Sequence, residues 1–219
     1  MITKVLIGIN VAVFFAELAT GGALWPTNEI SEVEINGALF GPLIAEEGEW
    51  WRIFTSGFLH SGLPHIGFNM LLLWLLGTQL EKALGPVRFV ILYMGSLVAG
   101  AFGALLVDPV ALTVGASGAV FGLMGAAVAA QRSSGISPWK SGIGGLVLVN
   151  LIITFSVSSI SVGGHIGGLI GGYIIGWIFY ETPKRFHQRW LPYAGAVAVG
   201  VVCFVGALWA ATTWSDPLF

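Results

Sequence analysis

Charge is the scarcest property of this sequence: only 9% of its 219 residues are Asp, Glu, Lys or Arg, against roughly 25% in an ordinary soluble domain. With 56% hydrophobic residues and a mean hydropathy of +0.87, that shortage excludes a water-soluble globule. Basic charge is not in surplus either. Nine Lys and Arg stand against eleven Asp and Glu, for a net charge of -2, which leaves nothing to hold a nucleic-acid backbone and excludes nucleic acid as a partner. Cysteine is nearly absent. Cys203 lies alone in an apolar run, so neither an intramolecular disulfide nor a cysteine metal site can form, and its expected role is packing. Internal repeats, low-complexity tails and a second, soluble domain are missing too. What is plentiful is glycine, at 32 residues. High apolarity mixed with small residues is the composition of helices packed closely in a bilayer, and it predicts an all-α, polytopic membrane bundle forming one membrane domain over residues 1–219.

A helix crossing the hydrocarbon core needs about 20 mostly apolar residues, and seven such runs can be marked between charges and turn residues. They are Ile2 to Ala19, Pro64 to just before Glu81, Phe89 to Val107, Thr113 to Ala130, two spans within Ser141 to Tyr180, and Leu191 to Thr213. The second is the shorter one beside its neighbours, with Pro64 suited to a first helical position. The Ser141–Tyr180 stretch is twice one crossing, and the polar patch Ser156-Val-Ser-Ser-Ile-Ser161 marks the turn that divides it. The first run could also be read as a cleaved signal peptide, since a short basic region precedes it and small residues follow at Gly21 to Ala23.

With seven spans, Lys4, Lys82, Arg88, Arg132, Lys140, Lys184, Arg185 and Arg189 fall on one side and only Arg52 on the other. Asp108, Asp216 and the Glu residues at 29, 32, 34, 46, 47 and 49 lie opposite the basic set. The positive-inside rule then predicts a cytoplasmic N-terminus and an external C-terminus in a prokaryotic plasma membrane. One external segment, Gly21 to Pro64, is long and carries Trp25, Phe40, Trp50, Trp51, Phe54 and Phe58. It is either a loop with a small core of its own or an element partly seated in the interface beside a site.

Polar groups inside spans are costly, so each is a functional candidate to be weighed against simple helix packing. Gly115-Ala-Ser117-Gly118 alone reads equally well as a close-packing surface, and His165 beside the glycines at 168 and 172 as a histidine bonded to a neighbouring carbonyl. His65 and Asn69, four residues apart on one helix face, could cap or glue helices. Topology changes the weighing. Spans two, four and six all enter from the outside, so these groups share one depth, at most about 10 Å below the outer surface. A serine hydroxyl needs a base, and His165 can serve Ser117. The oxyanion of acyl transfer needs donors, which Asn69, His65 and the Ser117 backbone N–H could supply. No acid in the bundle is available to orient His165, so the pair would be a dyad, with Phe121, one turn after Ser117, packing against the imidazole.

These residues resemble the rhomboid family of intramembrane serine proteases. Trp51-Arg52, His60, His65-Ile-Gly-Phe-Asn69, Glu81, Gly115-Ala-Ser117-Gly118 and His165 with Gly168 and Gly172 stand in the family's order, over about residues 45 to 180. The resemblance implies Ser117 as nucleophile, His165 as general base, and Asn69 and His65 as oxyanion donors. It also implies Trp51 and Arg52 as structural members of the membrane-embedded loop, and Gly168 and Gly172 as the contact that lets span six approach span four. Two departures are visible. Phe121 stands where well-known bacterial members carry Tyr, and the chain is similar to the six-plus-one form, with a core over about 1–181 and an additional span over about 191–213.

The implied function is hydrolysis of peptide bonds in or near the transmembrane segment of single-span membrane proteins through an acyl-enzyme, with the lipid bilayer as medium and with no metal or cofactor. The alternative is a non-catalytic rhomboid-like protein that binds transmembrane helices. A transporter or channel would need a polar path to both surfaces, for which the inner halves of the spans supply few residues.

Overall fold

The computed structural model describes residues 1–27 and 29–214; Asp216, counted above among the outer charges, lies outside them. The chain is helical, with no strand among the described residues and one isolated bridge between Leu39 and Thr113. The elements are α1 (Ile2–Ala19), α2 (Glu32–Gly37), α3 (Gly41–Glu46), α4 (Arg52–Thr55), α5 (Leu63–Leu72), α6 (Thr78–Leu84), α7 (Pro86–Val107), α8 (Ser117–Ser133), α9 (Ile143–Ser156), α10 (Val162–Arg185) and α11 (Leu191–Ala211). A π-helical turn, Leu73–Gly77, joins α5 to α6. Among the described residues, five helices are long and apolar enough to cross a membrane: α1, the continuous Leu63–Leu84 segment, α7, α10 and α11. The two others expected to cross are shorter, α8 with 17 residues and α9 with 14.

Boundaries follow local chemistry. Gly62 (φ +135°) and Pro64 open the second span, because glycine accepts that backbone and proline at a first helical turn sacrifices no hydrogen bond. This span does not stop before Glu81. It runs to Leu84, as long as α7 at 22 residues, because the Glu81 carboxylate is buried and satisfied: it accepts from Ile2 N (2.7 Å), Thr3 N (2.9 Å) and Thr3 Oγ1 (2.7 Å). A carboxylate at the first amides of a helix is favourable, so Glu81 fastens the N-terminus of α1. The fourth span begins at Ser117, not Thr113, since residues 109–116 form turns and the Leu39–Thr113 bridge. The polar patch at 156–161 is the turn between α9 and α10, and Ser161 Oγ accepts from Gly164 N at 3.1 Å as the cap of α10.

The inner packing is backbone on backbone. A Cβ added at Gly168 would lie 2.0 Å from the Gly118 carbonyl oxygen, and one at Gly172 would lie 2.1 Å from that of Gly122. On another face, a Cβ at Gly163 would meet Gly103 O at 2.2 Å. Helix α10 is thus clasped between α8 and α7 with no room for side chains, the arrangement that small residues permit in membrane helices. The residues of α8 from Ala119 to Ala126 are all buried.

Within the long outer segment, residues 32–58 form three short α-helices and a 3-10 turn at Ser56–Phe58 around buried Leu39, Ile44 and Ile53, a small core of its own, while Trp25, Trp50 and Trp51 stay exposed.

Candidate active site

Ser117 is the first residue of α8, and a turn at Gly115 (φ +127°) delivers it. The Gly115 N–H donates to Ser56 O at 2.9 Å, which ties this turn to the outer loop. The opening amides of a helix have no partners within it, so the N–H groups around Ser117 form a small positive pole.

His165 is the fourth residue of α10. Its ring stacks on Phe121, with centroids 4.0 Å apart and planes 21° from parallel. Because Phe121 lies one turn beyond Ser117 on α8, the stack holds the imidazole along the Ser117 face of that helix. The other side is fixed as well. Thr154 Oγ1 is 2.7 Å from His165 Nδ1, and the same hydroxyl donates to Asn150 O at 2.7 Å. Among the described residues Ser117 and His165 are not hydrogen-bonded to each other, a common state before substrate draws such a pair together.

His65 sits in the first turn of α5. Its Nδ1 accepts from Ser61 N–H (3.4 Å) and lies 3.1 Å from Ser61 Oγ. An Nδ1 that accepts a backbone N–H carries no proton of its own, so the neutral ring is protonated at Nε2 and donates there. That Nε2 lies 2.7 Å from where a Cβ on Gly115 would be, and Ser117 Oγ lies 3.7 Å from the same point. Donor and hydroxyl therefore flank one small space that only glycine leaves open. Asn69, four residues on, is buried, and one of its two amide hydrogens goes to His65 O (3.0 Å); the second is available to another acceptor.

His60 packs edge-on against His65, at 5.1 Å between ring centroids. It is 2% exposed, and its two ring nitrogens have no partner among the described residues. Burial, reinforced by the neighbouring His65, pushes its pKa down to about 3. The His60 N–H donates to both Glu17 carboxylate oxygens, at 3.1 and 3.2 Å, which binds the loop to the outer end of α1.

Trp51 and Arg52 are not gathered around Ser117. Arg52 is buried within the loop, where Nη1 donates to Ile35 O (2.9 Å) and Ala38 O (2.8 Å) and Nε pairs with Glu49. Trp51 makes an edge contact with Trp50. Gly118 touches the backbones of Gly100 and Gly164 as well as that of Gly168.

Sequence reasoning missed Thr154 and Asn150. The signal was there, two polar residues four apart within a helix whose other polar residue is the terminal Ser156. Polar residues at the starts of spans two, four and six do not lead to this pair, because Asn150 and Thr154 stand toward the end of α9.

A Rhomboid domain family model matches residues 47–182. The chain is similar to the Rhomboid protease GluP of Bacillus subtilis (strain 168), 37% identical over 167 residues, which cover 75% of this chain and 32% of that protein. It is also similar to the RHOMBOID-like protein 1 of Arabidopsis thaliana, 43% identical over 94 residues covering 43% of this chain and 24% of the other. A third relative, the Inactive RHOMBOID-like protein 8 of the same plant, is 32% identical over 140 residues covering 64% and 39%. The matches thus span between a quarter and two fifths of the length of these relatives.

Proposed function

Because the chain belongs to the rhomboid family, we propose that it is an intramembrane serine endopeptidase acting on single-span membrane proteins, with Ser117 as nucleophile and His165 as base. The observation that carries this reading is the stack of His165 on Phe121, a residue one helical turn from Ser117 on the helix that Ser117 opens.

In this reading Ser117 Oγ attacks the scissile carbonyl carbon while its proton passes to His165 Nε2. The resulting oxyanion is met by His65 Nε2–H, the spare Asn69 amide hydrogen and the opening amide of α8. Collapse of the tetrahedral species breaks the C–N bond, and the imidazolium gives its proton to the leaving amine. Water then attacks the Ser117 ester, losing one proton to His165, and release of the acid returns that proton to Ser117. A substrate helix must unwind locally first, since its carbonyls are engaged in its own hydrogen bonds. The orientation that fits has the N-terminus cytoplasmic and the C-terminus external, with the site opening outward and residues 1–219 forming one membrane domain.

The test is labelling of the purified protein by a serine-reactive fluorophosphonate, with the adduct located by mass spectrometry. Labelling at Ser117 that is lost in Ser117→Ala and His165→Ala is expected. A folded wild-type protein that stays unlabelled while another rhomboid protease reacts in the same detergent would refute hydrolysis and favour the helix-binding alternative.

A further inference from the structure

We propose that Thr154 is a positioning residue for the base: its hydroxyl fixes the proton of His165 on Nδ1 and so leaves Nε2 bare to face Ser117. The argument is one of counting protons. A threonine hydroxyl has a single hydrogen to donate. Asn150 O, 2.7 Å away, is a carbonyl and can only accept, so the hydrogen of Thr154 lies there. The second contact of the same oxygen, 2.7 Å to His165 Nδ1, is then favourable only if the nitrogen donates and Thr154 accepts. The ring partner thereby selects the tautomer, as it does wherever the two nitrogens of a histidine have unequal roles.

The two histidines at the site are consequently set in opposite forms by their Nδ1 partners. Ser61 N–H makes His65 a donor at Nε2, and Thr154 makes His165 an acceptor at Nε2. Acyl transfer requires one of each, a donor for the oxyanion and a base for the hydroxyl. A neutral hydroxyl thus supplies the orienting role for which the sequence offered no acid. It comes from a third helix. Helix α9 buries only Ile143, Gly144, Asn150 and Thr154, so the partner that orients the base belongs to one of the most exposed elements of the bundle.

This inference rests on the proposed hydrolysis for its consequence, but its test does not depend on it. The chain has four histidines, few enough for the ring nitrogens of His165 to be assigned by 15N-histidine NMR of the wild type against His165→Ala. The expected spectrum shows His165 neutral with the proton on Nδ1. In Thr154→Val, which keeps the shape and removes the hydroxyl, that preference is lost and kcat falls tenfold or more with KM changed less than twofold. In Thr154→Ser, which keeps the hydroxyl, both the spectrum and at least half of kcat are retained. A wild-type His165 protonated on Nε2, a Thr154→Val variant with the wild-type spectrum, or a Thr154→Ser variant as impaired as Thr154→Val would each overturn the proposal. If the spectra behave as expected and no variant, the wild type included, hydrolyses peptide or takes up a fluorophosphonate, the tautomer assignment stands and the reading as a protease falls.

Discussion

Adding one methyl group at position 172 is expected to slow the proposed hydrolysis without altering any residue of the dyad. In Gly172→Ala the new Cβ would lie 2.1 Å from the carbonyl oxygen of Gly122 and 2.3 Å from its Cα. A relaxed carbon–oxygen contact is about 3.3–3.6 Å, so α10 must move from α8 by about 1 Å or more. Both partners are helix backbone and neither can rotate away. Overpacking of this kind costs about 1–3 kcal/mol, which lowers a thermal midpoint by roughly 2–4 °C per kcal/mol for a chain of this size. The catalytic effect should be larger than the effect on stability. His165 and Phe121 are carried by the two helices forced apart, and a displacement of about 1 Å costs on the order of 100-fold in rate. The assay is turnover of a fluorogenic transmembrane peptide in detergent, with the thermal midpoint followed in the same preparation. Gly8→Ala is the control: a Cβ there meets nothing within 4 Å, so activity should hold, and stability should hold or rise by about 0.5–1 kcal/mol. Wild-type turnover and an unchanged midpoint in Gly172→Ala would refute the claim that backbone contact between α8 and α10 aligns the site.

Two further outcomes are expected. His60 is held neutral in the fold down to about pH 3, whereas in the unfolded chain it takes up a proton near pH 6.5; its contribution is therefore fully present above about pH 6.5 and is lost as pH falls toward 3, by up to about 1.4 kcal/mol per unit. Thermal midpoints measured from pH 7 to 4 should fall less steeply in His60→Phe, and parallel curves would refute the assignment. Glu81→Ala removes three hydrogen bonds from the start of α1 and should lower stability by about 2 kcal/mol while speeding amide exchange at Ile2 and Thr3; unchanged exchange there would show that another group holds that end.

Much of this could be read from the residues alone. Five of the seven expected spans, the turn at 156–161 and the family are legible because apolar runs and the motif set each leave a mark in the order of residues. The extent of span two was misread because a glutamate normally ends a membrane helix, and only the fold shows that Thr3 and the first amides of α1 complete it. The start of α8 was placed four residues early because apolarity continues through a segment whose backbone is already committed to Leu39. Thr154 escaped because hydrogen-bond partners across helices depend on rotation about each axis, which composition does not encode.

The π turn at Leu73–Gly77 divides its helix into two parts with different duties. Buried positions Ile66, Met70, Leu73, Gly77, Leu80 and Leu84 recur along the sequence at the steady step of an α-helix. The turn between Leu73 and Gly77 takes more residues than that step, so the helix is locally wider there than in the stretches before and after it. Before it, α5 packs on α1 and also reaches the turn that leads into α8, where His65 meets Gly115. At the turn itself an added Cβ on Gly77 would lie 2.9 Å from Thr3 of α1, and beyond it Glu81 receives its bonds from α1 while α6 packs mainly on α7. One continuous helix thereby carries His65 and Asn69 on one side of a wide turn and Glu81 on the other, so a single span serves both the candidate site and the fastening of α1.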